Sequence, residues 1–236
     1  MKLKVHEWGS PAADKTALLI HGAMSSSGTW ARVTPLLVQR GYRVLVPDLR
    51  GHGESAHADS YASDDFAADL VESLPAGADV AIGHALGGRS LLLTVDELAP
   101  GRAVYSEPAW HLSHDEAAAA IAMMAQFAGV TKTLTVEQIQ RINRRWGPED
   151  VAAEREGFAA WDPKVADGVA AFADLEIPAA RIPSLVQAAD PSFLISPGYG
   201  ERLRGLGYQV QFVPDSGHNI HRDDLAGFMT SLDGWI

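Results

Sequence analysis

The stretch that decides the fold is Asp79-Val80-Ala81-Ile82-Gly83-His84-Ala85-Leu86-Gly87-Gly88. The residues up to Ile82 form an apolar run typical of a buried strand, and a helical period begins at Leu86. Glycine at positions 83 and 87 predicts a sharp turn in which the strand and the helix approach each other closely. The spacing matches the Gly-x-Ser-x-Gly pattern of a nucleophile elbow, with Ala85 standing where the serine is expected.

The composition is that of a globular domain. Of the 236 residues, 47% are hydrophobic and 21% are charged, a length and balance that suit one α/β domain. Thirty acidic residues against 19 Lys and Arg give a net charge of −11, and no basic run is present, so we expect no nucleic-acid partner. The absence of cysteine excludes a disulfide framework, a thiol nucleophile and a thiolate metal site.

The hydropathy pattern gives no sign of a membrane segment. No window approaches the roughly 18 apolar residues of a membrane span. The first residues, from Met1 to His6, lack the apolar stretch of a signal peptide. We therefore expect a cytoplasmic protein with no membrane partner.

Short apolar runs alternate with segments of helical period, which predicts a mostly parallel sheet with helices on both faces. The predicted strands are Leu3–Trp8, Thr16–Ile20, Arg43–Pro47, Asp79–Ile82, Ala103–Ser106, Ile182–Gln187 and Gln209–Val213. The helices predicted between and after them are Thr29–Arg40, Asp64–Ser73, Leu86–Leu98, Gly198–Leu206 and Arg222–Leu232.

The alternation stops between about Pro108 and Leu175, where only helical patterns are found. The predicted helices there are Asp115–Phe127, Val136–Trp146, Pro148–Ala160 and Pro163–Ala173. We interpret residues 108–175 as a helical cap on a core formed by residues 1–107 and 176–236, because the insertion follows a strand end, where ligands of open α/β sheets bind. The alternative is that these are surface helices with no role at the site.

A histidine-containing loop follows the last predicted strand, with the sequence Asp215-Ser216-Gly217-His218-Asn219-Ile220-His221-Arg222-Asp223. His218 is the candidate general base, since a histidine titrates near neutral pH and can take and return a proton. His221 is the rival, which we interpret as a structural partner in the turn. A metal site on the two histidines lacks a third ligand from any carboxylate or cysteine cluster, so we predict no metal.

Four motifs resemble the α/β-hydrolase superfamily in order and across nearly the whole chain: Ile20-His21-Gly22, Asp48-Leu49-Arg50-Gly51-His52-Gly53, Gly83-His84-Ala85-Leu86-Gly87-Gly88 and Gly217-His218-Asn219-Ile220-His221-Arg222-Asp223. The resemblance implies an α/β-hydrolase fold and chemistry that requires no cofactor. It implies an oxyanion hole made by the amides of Ala23 and Leu86, the latter opening a helix and so lacking an intrahelical partner. The missing serine is the one clear departure.

Two carboxylates compete to orient His218. Asp190 follows a predicted strand 28 residues before His218, the placement most common in the superfamily. Glu107 ends the strand before the insertion, an alternative placement in the superfamily, and Pro108 would fix it beside the pocket. Both keep the order nucleophile, acid, histidine, and we favour Glu107. An aspartate before a proline often serves only to start a turn, which weakens the case for Asp190.

Apolar and aromatic side chains of the insertion favour an apolar or aromatic substrate moiety over a sugar or a phosphate. The residues predicted to contact the substrate are His21, Gly22, Met24, His84, Trp110, Met123, Phe127 and Trp146. The sequence therefore predicts a hydrolase of a small-molecule carboxylic ester or lactone, monomeric or homodimeric. Its active form would carry serine at position 85, and Ala85 would make this chain an inactive variant. The alternative is a natural pseudo-hydrolase that binds or senses a small molecule.

Overall fold

The computed structural model describes residues 1–111 and 134–236. The predicted helix Asp115–Phe127, with Met123 and Phe127, lies outside the described residues. The described strands form a seven-stranded sheet in the order β1-β3-β2-β4-β5-β6-β7, parallel except for β1, which pairs antiparallel with β3. The strands are β1 (Val5–Trp8), β2 (Lys15–Ile20), β3 (Tyr42–Pro47), β4 (Val80–His84), β5 (Ala103–Ser106), β6 (Ser184–Asp190) and β7 (Gln209–Pro214). The predicted fold class is confirmed.

Nine α-helices lie within the described ranges, together with a 3-10 helix at Ser27–Trp30. They are α1 (Thr34–Gln39), α2 (Ser63–Ser73), α3 (Leu86–Leu98), α4 (Val136–Ile142), α5 (Pro148–Ala160), α6 (Lys164–Ala170), α7 (Pro197–Gly205), α8 (Ile220–Asp223) and α9 (Leu225–Ser231). No helix in this part of the chain is long and apolar enough to span a membrane.

Two predicted helices are broken in the structure. The segment predicted as one helix over 29–40 is a 3-10 turn followed by α1, because Pro35 lacks an amide hydrogen and fits only the first turn of a helix. The helix predicted over 222–232 is interrupted at Asp224, whose backbone has φ −143° and ψ 81°. Its Oδ1 accepts a hydrogen bond from the Gly227 amide at 3.0 Å and thereby starts α9.

Both faces of the sheet are buried, as its apolar strands predict. Neighbouring residues of β2 point to opposite sides: Leu18 and Ile20 pack with α2 and α3 residues such as Phe66 and Leu91, whereas Leu19 packs with Phe228 of α9. Every residue of β4 is buried. The end of β4, where the strand turns into α3, is therefore a fixed point in the centre of the sheet.

Helices α4, α5 and α6 belong to the long connection between β5 and β6. α5 packs against the loop after β2, so closely that a Cβ atom on Gly157 would lie 3.0 Å from Cα of Ser25. Arg89 of α3 contacts both ends of the connection: its Nη1 donates to the Ala109 carbonyl at 3.2 Å and its Nη2 to the Ala173 carbonyl at 2.7 Å. These contacts place α5 and the two described ends of the connection beside the carboxyl ends of β2 and β4.

Candidate active site

The turn between β4 and α3 has the strained geometry of a nucleophile elbow. Ala85 has φ 48° and ψ −111°, a conformation that costs a residue with a side chain on the order of 1–3 kcal/mol. The turn is possible because its glycines carry no side chain: a Cβ on Gly83 would lie 2.5 Å from the Gly87 carbonyl oxygen, and one on Gly87 would lie 2.4 Å from the Ile20 carbonyl oxygen. These contacts fix the position of the Ala85 side chain.

Ala23 and Leu86 both line the cavity that contains Ala85. Leu86 is the first residue of α3, so its amide has no intrahelical acceptor. The Ala23 amide donates no hydrogen bond within residues 1–111 and 134–236. Two free amides beside the position of a nucleophile can stabilise the negative charge that develops on a carbonyl oxygen during acyl transfer.

Two buried histidines hold the loop that carries Ala23. The Nδ1–H of His21 donates to the Gly22 carbonyl at 2.7 Å, and its Nε2 accepts from the Leu49 amide at 3.0 Å. The Nδ1–H of His52 donates to the Arg50 carbonyl at 2.8 Å, and its Nε2 accepts from the Met24 amide at 3.1 Å. Burial lowers the pKa of His21, and burial together with the nearby His21 lowers the pKa of His52 to about 3. Both rings are therefore neutral near neutral pH.

His218 faces Glu107. The Nδ1 of His218 lies 3.4 Å from Oε2 of Glu107, a long contact of the kind that shortens in substrate complexes. The other carboxylate oxygen of Glu107 accepts a hydrogen bond from the Ala189 amide at 2.7 Å, and the residue is fully buried. The Nδ1 side of His218 is thus engaged, and its Nε2 has no hydrogen-bond partner in the described parts of the chain.

Asp190, the other candidate acid, lies exposed at the end of β6. Its carboxylate forms no hydrogen bond or ion pair with the residues that the structure describes. Glu107 and Asp190 sit at the ends of neighbouring parallel strands, β5 and β6, and only the carboxylate of Glu107 meets His218.

His84 packs against His218 at the cavity, and His221 packs against His84. The Nε2–H of His84 donates to the His218 carbonyl at 2.9 Å, and burial, followed by the charge of His218, lowers the pKa of His84 well below its ordinary value. His221 stacks on Trp30 with ring centroids 4.4 Å apart, and its Nε2 lies 2.8 Å from Oγ1 of Thr29. Burial also lowers the pKa of His221 well below its ordinary value, so its ring is a neutral packing element.

Ala85 and His218 line a cavity of about 370 Å³, and most of the cavity surface is apolar. Its described lining is Gly22, Ala23, Met24, Ser25, His84, Ala85, Leu86, Ala109, Glu154, Phe158, Val169, Phe172, Phe193, Leu194, His218, Asn219 and Arg222. A larger depression of about 710 Å³, bordered by Tyr61, Arg89 and Lys164, includes neither Ala85 nor His218.

Three residues predicted to contact substrate stand behind the cavity and do not line it. His21 is fully buried between Gly22 and Leu49. Trp110 is also fully buried, and its Nε1–H donates to the Gly88 carbonyl at 3.2 Å. Trp146 donates from Nε1 to Oδ1 of Asp223 at 2.6 Å. Each ring is stable in the interior because its apolar surface is buried and its polar nitrogen forms a hydrogen bond.

Several lining residues were not singled out from the sequence. Glu154 lies on α5, far along the chain from the elbow, and no sequence signal distinguishes it from the other acidic residues of that helix. Phe158 is one of the aromatic residues of the insertion that favoured an apolar substrate moiety, but it was not among the predicted substrate contacts. Arg222 lies within the motif around His218, four residues after it. Its place in a stretch of polar residues was the one available signal.

Within the described parts of the chain, one group of side chains could hold a metal ion: His6, Asp48 and Glu54. Asp48 already accepts hydrogen bonds from the Ser27 amide at 2.6 Å and the Glu54 amide at 2.9 Å, with His6 Nε2 at 3.0 Å. The carboxylate therefore organises the turn after β3, and none of the three residues lines the cavity.

The comparisons with known proteins agree with this geometry. A family model described as the alpha/beta hydrolase family matches residues 17–229. The putative carbamate hydrolase RutD of Variovorax paradoxus is 30% identical over 249 alignment positions. The alignment covers 96% of this chain and 93% of that protein. A pyrethroid hydrolase of Sphingobium wenxiniae is 37% identical, but the alignment spans only 31% of this chain and 28% of that protein.

Solved structures share the same architecture. The crystal structure of a serine-to-alanine variant of N-formylmaleamic acid deformylase from Pseudomonas putida superposes with a TM-score of 0.77 at 23% identity, covering 98% of this chain and 96% of the other. The elbow, the paired histidine and carboxylate, and the family match over most of the chain lead to one conclusion: this chain is a member of the α/β-hydrolase family.

Proposed function

We propose that this chain is an inactive form of a hydrolase that cleaves a carboxylic ester or lactone through an acyl-enzyme, with serine at position 85 in the active enzyme. The observation that carries the proposal is the elbow itself. Ala85 holds a positive φ at the centre of a cavity that also contains two free amides and a histidine with a buried carboxylate partner. An alanine gains nothing from this strain, whereas a serine there would present its hydroxyl to a substrate.

In the active form, the serine oxygen attacks the substrate carbonyl carbon while Nε2 of His218 takes the hydroxyl proton. Glu107 keeps the other ring proton on Nδ1 and stabilises the imidazolium. The amides of Ala23 and Leu86 donate to the oxyanion. The imidazolium then gives its proton to the leaving alcohol oxygen as the carbon–oxygen bond breaks. A water molecule, deprotonated by His218, hydrolyses the acyl-enzyme and restores the serine.

Residues 108–175 serve as the cap in this proposal. Glu154 and Phe158 of α5, Val169 of α6, and Phe172 from the connection contribute to the cavity lining. Phe158, Val169 and Phe172, together with Met24 and Leu86, favour an apolar or aromatic moiety on the substrate. The cavity volume is in the range of small-ligand sites. The relatives' hydrolytic names, a carbamate hydrolase and a deformylase among them, support bond cleavage at a carbonyl carbon.

The test is the substitution Ala85→Ser, assayed against p-nitrophenyl acetate and p-nitrophenyl butyrate. Loss of a triad nucleophile costs about 10⁶ in rate, so we expect the serine form to exceed the chain as given by several orders of magnitude. Ala85→Gly is the matched control: it relieves the positive φ without adding a hydroxyl, and it should stay inactive. Adding His218→Gln to the serine form should abolish the gain.

A serine form no faster than the chain as given would overturn the proposal and favour the pseudo-hydrolase interpretation, in which the cavity only binds. In the proposed function, the chain as given binds an ester substrate without turning it over, because ground-state affinity depends on the cavity lining. Calorimetry should give an affinity within about tenfold of that inferred for the serine form.

A further inference from the structure

Arg222 is a buried cation that borders the cavity and has two donors without a partner among the described residues. It is 1% exposed and contributes to the same lining as Ala85 and His218. Its Nη1 donates to Oε2 of Glu154, and its guanidinium lies 4.8 Å from the centre of the Trp146 ring. Its Nε and Nη2 have no hydrogen-bond partner among the residues that the structure describes. Buried charged donors without acceptors are costly and rare. Both atoms are also closed to solvent, so an acceptor that satisfies them must displace a neighbouring side chain as it binds.

The two unused donors form one edge of the guanidinium, and this chain uses the same edge twice elsewhere to grip a carboxylate. Nε and Nη2 of Arg43 donate to the two carboxylate oxygens of Glu7 at 2.7 and 2.8 Å. Nε and Nη2 of Arg50 donate to the two oxygens of Asp69 at 2.6 and 2.8 Å. A carboxylate matches this planar pair of donors with two parallel hydrogen bonds.

The remaining charge at this end of the cavity favours one carboxylate and no larger anion. Glu154 already offsets the charge of Arg222 from the Nη1 side. The rest of the described lining there is the Asn219 amide and apolar side chains such as Phe158. His84 and His221, which pack nearby, are held neutral by burial. A doubly charged group such as a phosphate would bring an excess of negative charge next to Glu154.

We propose that the Nε and Nη2 edge of Arg222 binds a free carboxylate of the substrate, so that the enzyme acts on monoesters of dicarboxylic acids or on lactones that carry a carboxylate. This inference rests on the proposed function for the identity of the cleaved bond. It adds a second recognition point. The carbonyl lies over position 85, and the carboxylate lies at α8, which fixes the acyl chain between them.

The experiment measures binding, so that turnover is not required. The chain as given is titrated calorimetrically with the monomethyl esters of succinic, glutaric, adipic and pimelic acids, and with the corresponding dimethyl esters. Because hydrogen bonds to a charged group are among the strong ones, we expect at least one monoester to bind about tenfold or more tightly than its diester. The length of the preferred acid reports the span from Ala85 to Arg222.

Three variants locate the preference. Arg222→Gln should bring the ratio of monoester to diester affinity close to one, and Arg43→Gln, which removes a carboxylate-gripping arginine on β3, should leave the ratio unchanged. Glu154→Gln should raise monoester affinity, since it removes the carboxylate that competes for the same guanidinium. Glu154→Gln also provides the test if Arg222→Gln does not fold.

The inference is overturned if no monoester binds at millimolar concentration, if monoesters and diesters bind equally, or if Glu154→Gln leaves monoester affinity unchanged or lowers it. These outcomes are separate from the fate of the proposed function. If the serine form hydrolyses neutral aryl esters but monoesters bind no more tightly than diesters, the proposed hydrolase function is supported and the carboxylate site is contradicted. If monoesters bind through Arg222 but the serine form stays inactive, the carboxylate site is supported and the proposed hydrolase function is contradicted.

Discussion

Acid should destabilise this protein through the histidines that hold the loop carrying Ala23, and His52 gives the clearest case. In the folded state its Nε2 accepts the Met24 amide hydrogen, which a protonated ring cannot do. Burial, and after it the neighbouring His21, lowers its pKa from 6.5 to about 3. Between these two values the unfolded chain binds a proton that the folded chain excludes. Stability is therefore full above about pH 6.5 and is lost as the pH falls towards 3.

The size of the effect follows from the shift. Each pKa unit corresponds to about 1.4 kcal/mol, so His52 alone should remove about 2 kcal/mol of the unfolding free energy by about pH 5. For a chain of this length that corresponds to about 4–8 °C in thermal midpoint. His21 acts in the same direction, because burial lowers its pKa as well.

The assay is thermal and urea unfolding at about pH 7, 6 and 5 for the chain as given and for His52→Gln. Glutamine keeps a donor and an acceptor but never takes a proton in this range, so its loss of stability between pH 7 and 5 should be smaller by about 2 kcal/mol. Equal pH dependence of His52→Gln and the chain as given would refute the reasoning.

Three further outcomes are expected. In the serine-restored enzyme, Glu107→Gln lowers kcat by about 10⁴ because the imidazole loses its orienting acceptor, whereas Asp190→Asn affects chiefly the thermal midpoint; the reverse ranking in kcat would assign the acid to Asp190. Gly87→Ala lowers the free energy of unfolding by about 3 kcal/mol or more, since its Cβ would lie 2.4 Å from a backbone oxygen. Gly198→Ala is the control because its Cβ would meet open space, and equal thermal midpoints of the two variants would contradict the tight packing at Gly87. Arg89→Met frees both ends of the connection between β5 and β6, so limited proteolysis should cut residues 108–175 faster than in the chain as given, and unchanged cutting would show that other contacts hold them.

The seven strands and most described helices could be predicted because their signals are local. The apolar run at β4 and the glycines around Ala85 act on their immediate neighbours, and α3 begins and ends at its predicted residues, Leu86 and Leu98. The breaks at Pro35 and Asp224 were missed because an apolar period continues across them. In both cases a backbone feature of one residue outweighs the periodicity of its neighbours.

The roles of the charged residues depended on contacts between distant parts of the chain. Glu107 and Asp190 both follow strand ends and both precede His218, so their order in sequence leaves them equivalent. They differ in the structure because the carboxylate of Glu107, at the end of β5, reaches His218. The carboxylate of Asp190, at the end of the neighbouring strand β6, does not. Arg222 acquires its environment from Glu154 and Trp146 of the long connection, which the sequence around His218 does not contain.

The sequence by itself therefore determined the sheet, the elbow and the position of a candidate general-base histidine. The sheet and the elbow follow from short-range steric effects. The histidine is recognised because few other residue types can exchange a proton near neutral pH. Only the tertiary structure brought Glu107 to His218, placed Trp110 and His21 behind the cavity, and left one edge of Arg222 without an acceptor among the described residues. Desolvation and hydrogen-bond satisfaction decide these outcomes, and both depend on which distant groups share the same buried volume.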